Sequence, residues 1–145
     1  MLKKIATATI VLAFLASGAA FASVQSMGTV VTLHKTSLGK VLATTKGRTL
    51  YLYTPDGPNQ STCTGACAAT WPPLKTGGKP VAGTGVKKSL LGTAKLPSGK
   101  LQVTYNGHPL YRYVGDSKPA QTNGEGVDGI WFVVNAGGNQ AATRK

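Results

Sequence analysis

The stretch "GRTLYLYTPD" occupies residues 47–56, and "GHPLYRYVGD" occupies residues 107–116, sixty positions later. Both copies read Gly-x-x-Leu-Tyr-x-Tyr-x-x-Asp, and each first tyrosine is followed twenty residues later by a tryptophan. Two copies are too few for a solenoid, so we expect a pseudo-symmetric pair of repeats that share one core. The repeats are predicted at about residues 38–74 and 98–134.

Each copy predicts a β-hairpin. Asn106-Gly107 lies between two alternating stretches, and both residues tolerate the positive φ that a type I′ hairpin turn requires. The strands Gln102–Tyr105 and Leu110–Tyr113 are therefore predicted to pair antiparallel. Lys46-Gly47 takes the equivalent place in the first copy, so the Leu-Tyr-x-Tyr segment should form the second strand of both hairpins.

The rest of the chain also favours strands. Further strands are predicted at residues 30–34, 90–96 and 130–134, and one short helical turn at residues 66–70. The chain has 19 glycines and few amphipathic runs of helical length. These features predict an all-β fold, a small pseudo-symmetric antiparallel domain built from two hairpin repeats with little helix.

The N-terminus is typical of an exported protein. Lys3 and Lys4 precede an apolar run, and Ala20-Phe21-Ala22 is a small-x-small cleavage signal. Residues 1–22 are therefore predicted to be a cleaved signal peptide, with an uncleaved membrane anchor as the alternative. Residues 23–136 should form a single β domain, without a later membrane span.

Two segments are predicted from composition to lack regular structure. Residues 75–89, "KTGGKPVAGTGVKKS", are basic and rich in glycine, which is typical of a mobile connector. Residues 137–145 are polar and glycine-containing, and are predicted to be a disordered tail.

The charge is strongly positive. The chain carries 16 Lys and Arg against 4 Asp and Glu, and loss of Lys3 and Lys4 lowers the formal charge from +12 to +10. Such a surface attracts anionic partners. An exported protein rarely meets nucleic acid, so the predicted partner is an anionic envelope polymer, a lipid headgroup or an acidic protein. The alternative is a merely solvated basic face. The candidate anion-binding residues are Lys75, Lys79, Lys87, Lys88, Lys95 and Lys100.

Cys63 and Cys67 are the only cysteines. In an oxidising compartment a close pair predicts a disulfide, here closing a small loop. A reactive dithiol is the alternative, although the spacing is not that of a C-x-x-C motif.

The repeated aromatic motif has a structural and a functional interpretation. Alternation places both tyrosines of a copy on one face of a strand, where they would pack in the core with the tryptophan. The aspartates would then accept hydrogen bonds in their own turns. In the functional interpretation the aspartates bind a cation or a basic partner. The motif residues are Tyr51, Tyr53, Asp56, Trp71, Tyr111, Tyr113, Asp116 and Trp131.

Metal and catalytic sites find little support. Asp116, Glu125 and Asp128 flank a glycine-rich loop that could offer oxygens to calcium, but the spacing fits no EF-hand. His34 and His108 show no ligand spacing for copper. No nucleophilic or acid–base constellation is visible, so neither a cofactor, a metal nor an enzymatic activity is predicted.

The ordered motifs resemble a bacterial secreted-repeat family described as lipoproteins with a Yx(F/W/Y)xxD motif. The resemblance covers roughly residues 28–136 and is carried by Tyr51, Tyr53, Asp56, Cys63, Cys67, Trp71-Pro72-Pro73-Leu74, Asn106-Gly107, Pro109-Leu110-Tyr111 and Trp131. It implies export and tandem repeats, and it implies no reaction. Many members carry a lipid-attachment cysteine near the start, and this chain has none before Cys63.

These observations predict an exported, non-enzymatic envelope module, periplasmic or secreted and soluble after cleavage, that binds an anionic component through its basic surface. The alternative is a redox- or metal-associated periplasmic protein that uses Cys63 and Cys67 or histidine and tyrosine side chains.

Overall fold

The computed structural model describes residues 18–20, 23 and 25–141. The predicted signal peptide therefore lies almost wholly outside the described residues. The regular elements are β1 (Val30–Thr36), β2 (Gly39–Thr44), β3 (Tyr51–Tyr53), α1 (Ala66–Thr70), β4 (Lys75–Thr76), β5 (Val81–Ala82), β6 (Leu91–Lys95), β7 (Leu101–Tyr105), β8 (His108–Pro109) and β9 (Trp131–Val133). Short 3-10 turns occupy Lys88–Leu90 and Val127–Gly129. The all-β prediction is confirmed.

The elements recur at an interval of about sixty residues. The hairpin of β1 and β2 in the first repeat corresponds to the hairpin of β6 and β7 in the second. The helix α1 corresponds to the 3-10 turn Val127–Gly129, and β4 corresponds to an isolated bridge at Asn135. One short pair departs from the antiparallel pattern, because β5 runs parallel to β1.

The tight turn at Asn106-Gly107 is present. Asn106 has φ of 49° and Gly107 has φ of 79°, as the type I′ turn requires. The strand after the turn is shorter than predicted, since β8 ends at Pro109 and the last bond to β7 is donated by the Leu110 amide to the Val103 carbonyl. The predicted pairing of residues 110–113 with β7 is therefore wrong beyond Leu110.

The tyrosine segments leave their hairpins to meet each other. The amide of Tyr51 donates to the carbonyl of Tyr111 at 2.9 Å, and the amide of Tyr111 donates back at 3.0 Å. On its other edge β3 pairs with β9, and Tyr111 forms the equivalent bridge to Pro73. Each tyrosine segment thus pairs with the tryptophan segment of the other repeat, and the two repeats are interlocked rather than side by side.

Two clusters of buried side chains form the interior. One is mainly aliphatic, with Leu42, Leu50, Val103 and Leu110 among its members, all 0 % exposed. Burial of each such side chain contributes about 1.5–3 kcal/mol. The second cluster is aromatic and contains the repeated tyrosines and tryptophans.

Both segments that composition assigned to irregular chain are ordered where they are described. Within residues 75–89, β5 docks on β1 and Val86 is 8 % exposed. In the predicted disordered tail, the amide of Ala141 donates to the Val133 carbonyl at 2.7 Å, and Ala141 is buried. Glycine content misled the first prediction, because glycines such as Gly83 and Gly85 lie so close to Val31 and Leu33 of β1 that a Cβ atom there would clash. Residues 142–145 lie outside the described residues.

Candidate functional site

Four aromatic rings of the repeated motif form one continuous stack. Its order is Tyr53, Trp131, Trp71, Tyr113, with successive ring centroids 4.3, 3.9 and 4.3 Å apart. The two indoles are nearly parallel, at 3°. Each tryptophan therefore stacks on the second tyrosine of the other repeat, and the two tryptophans meet at the centre of the stack.

The first tyrosine of each motif closes this stack from the side. The ring of Tyr51 meets Trp71 edge-on at 5.4 Å, and that of Tyr111 meets Trp131 edge-on at 5.2 Å. Both tyrosines are 0 % exposed. Edge-to-face and offset contacts of this kind add about 0.5–1.5 kcal/mol each beyond burial. The rings thus pack the two halves together.

The aspartates connect the repeats crosswise. The hydroxyl of Tyr51 donates to Asp116 at 2.6 Å, and the hydroxyl of Tyr111 donates to Asp56 at 2.6 Å. Burial, reinforced by the carboxylate partner, raises the pKa of both tyrosine hydroxyls well above the usual value for tyrosine. The phenols therefore remain protonated donors, and neither is poised as a general base.

The second oxygen of each aspartate is also engaged. Asp116 Oδ1 accepts the backbone N–H of Asn123 at 3.0 Å, and Asp56 Oδ1 accepts both the backbone N–H and the hydroxyl of Thr62 at 2.7 Å. The turn-capping role was predicted from sequence, whereas the bond to the tyrosine of the opposite repeat was not. No pattern in the sequence distinguishes a carboxylate that binds its own repeat from one that binds the other.

Gly124 fits against the stack because it has no side chain. A Cβ atom there would lie 2.7 Å from the Trp71 ring and 2.8 Å from that of Tyr51. Its backbone N–H donates to the Tyr51 hydroxyl at 3.2 Å. Part of the glycine content of the loop thus serves close packing on the aromatic cluster.

Cys63 and Cys67 form a disulfide, with Cα atoms 5.3 Å apart. Cys63 is 3 % exposed and belongs to the aromatic cluster. Cys67 lies within α1, and its carbonyl accepts the backbone N–H of Trp71 at 2.8 Å. The bridge therefore anchors the short helix that delivers Trp71 to the stack.

The six lysines singled out from the sequence are all exposed. They do not converge on one site, since only Lys75 lines either of the two clefts described next. The other five are Lys79, Lys87, Lys88, Lys95 and Lys100.

A cleft of about 850 Å³ opens beside the outer end of the stack at Tyr113. Four basic side chains line it, namely Lys46, Arg48, Lys75 and Arg112. Arg48 is positioned by a bond from its guanidinium to the backbone carbonyl of Asp116. This cavity is called the basic cleft below.

A second cleft, of about 430 Å³, lies at the equivalent place in the other half. A shift of sixty residues relates the linings, since Arg48 corresponds to His108, Arg112 to Leu52, and Asp116 to Asp56. This second cleft is lined by the Asp56 carboxylate and by no lysine or arginine, and it carries His108 where the basic cleft carries Arg48. It is called the neutral cleft below because it lacks a lysine or arginine. Burial lowers the pKa of His108, opposed by the negative charge of Asp56.

Sequence reasoning missed Lys46, Arg48 and Arg112 as candidate binding residues. A signal was present, because aligning the two copies places a cation opposite an uncharged residue at positions 48 and 112. The lysines of the connector were chosen because they are close together in the sequence. The cations of the basic cleft come from three separate segments and are brought together only by the fold.

The described residues show no ligand geometry for the calcium or copper site considered from the sequence. The Glu125 carboxylate accepts the backbone N–H of Val133 at 2.7 Å, and burial raises its pKa. Across the part of the chain that the structure describes, no three His, Cys, Asp or Glu side chains are grouped as a metal site.

A family model described as a secreted repeat of unknown function matches residues 32–75 and again residues 92–135. The chain belongs to this secreted-repeat family. The matched segments coincide with the two interlocked halves, each running from its hairpin to the strand or bridge after its tryptophan. Neither the curated proteins nor the solved structures yield a match. Within the described residues of this secreted-repeat protein, no helix has the length and apolar character to span a membrane.

Proposed function

We propose that this secreted-repeat protein is a non-enzymatic module of the cell envelope, periplasmic or secreted, that binds an anionic envelope component through its basic surface. The observation that carries the proposal is how the protein uses its few acids. Three of its four carboxylates, those of Asp56, Asp116 and Glu125, are engaged by hydroxyl or backbone N–H donors. They hold the fold together, while the lysines among the described residues are exposed to solvent.

Charge complementarity then drives association. The predicted mature chain carries a formal charge of +10, and a field of that sign raises the local concentration of polyanions at its surface. Exposed charges act through solvent, so their contribution falls as the Debye length shrinks.

A salt series on isolated cell envelopes tests the proposal. We expect the mature protein to be retained at about 50 mM NaCl and released steeply by about 500 mM, because the Debye length falls roughly threefold over that range. A neutral dextran matrix is the control and should retain nothing. Retention that does not change with salt would contradict the proposal.

A further inference from the structure

We propose that the basic cleft is a binding site for the phosphate groups of a phosphate-bearing glycopolymer. The inference rests on the proposed function and assigns it a location and a ligand class. It depends on the residues that line one cavity, and not on the net charge of the whole surface.

The four cations of the basic cleft approach it from three segments of chain. Lys46 and Arg48 lie in and just after the turn that follows β2, Lys75 lies in β4, and Arg112 follows Tyr111. Donors on several walls suit a tetrahedral phosphate, whose oxygens point in different directions, better than a planar carboxylate. Guanidinium groups also bind phosphate through two parallel hydrogen bonds.

Arg48 is oriented before any ligand arrives. Its guanidinium already donates to the Asp116 carbonyl, and the side chain is half-buried. The Asp116 carboxylate lines the same cavity, but it is bound by Tyr51 and Asn123 and is 6 % exposed. The cavity thus keeps its positive character although an acid forms part of its wall.

The remainder of the lining combines apolar side chains with the hydroxyls of four threonines, which together suit the carbon skeleton and the hydroxyl groups of a sugar or polyol. Pro72, Pro73 and the ring of Tyr113 contribute to it, and Val114 is 59 % exposed. Tyr113 is held by its stacking on Trp71, so a ligand that contacts it orders no loose side chain. A volume of about 850 Å³ lies within the range of small-molecule sites and admits a few units of a polymer.

The second half of the molecule supplies an internal comparison. The neutral cleft is built on the same crossed pairs of tyrosine and aspartate, yet it carries Leu52 and His108 where the basic cleft has Arg112 and Arg48. The phosphate site is therefore expected in one half only, with one cleft occupied per chain.

Calorimetric titration of the mature protein with a defined poly(glycerol phosphate) tests the site. Arg112→Gln combined with Lys46→Gln removes two cleft charges, and both side chains are exposed, so folding should be kept. Lys35→Gln combined with Lys40→Gln removes the same charge outside the cleft. We expect the cleft pair to weaken binding about tenfold or more, since charge-assisted hydrogen bonds are lost. The control pair should change it less than about twofold, and near-UV circular dichroism should show all variants folded.

The outcomes separate the site from the function. A stoichiometry near one, with loss confined to the cleft pair, supports the inference. Equal weakening by both pairs would overturn the cleft and leave the proposed function standing. If polyglucuronate of matched length binds equally well through the cleft, the assignment of phosphate as the ligand group is overturned. If phosphatidylglycerol vesicles bind equally well, the assignment of a polymer as the ligand is overturned. Failure to bind isolated envelopes at low salt would reject the proposed function itself.

Discussion

The aromatic centre and the two clefts of this molecule have diverged to very different degrees. At the centre the two repeats present the same side chains in the same contacts, with crossed hydrogen bonds of 2.6 Å in both halves. Beside this centre, the two clefts differ in the charged residues that line them and in volume. The duplicated motif is thus a scaffold, and the positions beside it are where the halves differ in chemistry.

Burial explains which positions stayed alike. Tyr51 and Tyr111 are 0 % exposed and contact both repeats, so a change in one must be matched in the other. Position 112 is exposed and accepts arginine, whereas its counterpart Leu52 is 2 % exposed in the aliphatic cluster. The C-terminal segment contributes Asn139 and Gln140 to the neutral cleft, which the basic cleft lacks.

Truncation of the stacked tryptophans should give the largest effect and tests the symmetry of the centre. We expect Trp71→Ala and Trp131→Ala each to lower the free energy of unfolding by about 3–5 kcal/mol, as large aromatic truncations in cores do. Because the two indoles have equivalent partners, the two losses should be similar. Urea denaturation of both variants gives the comparison.

Val114→Ala is the control, because Val114 is 59 % exposed and should cost less than about 0.5 kcal/mol. A marginal loss for one tryptophan beside a severe loss for the other would show that the centre is not energetically symmetric.

Alkaline pH should break both crossed hydrogen bonds, Tyr51–Asp116 and Tyr111–Asp56, as the protein unfolds. The unfolded chain releases the tyrosine protons near pH 10, while the folded state retains those of Tyr51 and Tyr111 because their pKa values are raised. Above pH 10 the folded state therefore binds more protons than the unfolded state. Its stability should fall by about 1.4 kcal/mol per pH unit for each such tyrosine.

Ultraviolet absorbance of ionised tyrosine, followed beside circular dichroism, measures this. We expect Tyr51 and Tyr111 to ionise only as the fold is lost. Smooth ionisation of all five tyrosines in the folded protein would contradict the buried donor role.

How much of this centre the sequence predicts depends on the distance over which each interaction acts. The Asn106-Gly107 turn and the Cys63–Cys67 bridge are local, and the sequence predicts both. Alternation within a few residues predicts strands in both long hairpins, but it does not predict that β1 pairs with β2 or that β6 pairs with β7, since the predicted hairpins turn at residues 46–47 and 106–107. The sixty-residue repeat likewise predicts that the halves share one core.

The crossing between repeats was beyond sequence reasoning. The side chains of residues 110–113 alternate in the same way in two cases. The segment can stay paired within its hairpin, or it can leave the hairpin and pair with the other repeat. The choice is made by the tryptophan segments, which pair with the tyrosine segments from far along the chain. The basic cleft was missed for the same reason, since Arg48 and Arg112 meet only after that crossing.

Removal of single tyrosine hydroxyls sharpens the comparison of the two crossed pairs. We expect Tyr51→Phe to cost about 1–3 kcal/mol, because it leaves the Asp116 carboxylate, 6 % exposed, with one bond fewer in a buried place. Tyr111→Phe should cost less, since Asp56 is more exposed and keeps two bonds from Thr62.

Urea denaturation of both variants, with Asp116→Asn alone and combined with Tyr51→Phe, isolates the pair energy. If Tyr111→Phe lowered the free energy of unfolding more than Tyr51→Phe, the expected order of the two hydrogen-bonded pairs would be wrong.

The smallest expected effect distinguishes the clefts by their response to acid. Burial lowers the pKa of His108 in the folded protein, so below about pH 6.5 the unfolded chain binds this proton more readily and the folded state loses stability. The equivalent position 48 is an arginine, so the lining of the basic cleft has no counterpart of this histidine. Half-exposure of His108 and the charge of Asp56 both reduce the effect.

Comparison of the native protein with His108→Gln at pH 7.5 and pH 5 isolates this contribution. At pH 7.5 the substitution should change the free energy of unfolding by less than about 0.5 kcal/mol. Towards pH 5 the native protein should lose more stability than the variant. The raised pKa of Glu125 acts in the opposite sense, favouring the folded state as pH falls, but it is common to both proteins and cancels in the difference. Parallel pH profiles would mean that the side chain at position 108 is free in solvent, and that the neutral cleft has no closed wall on that side.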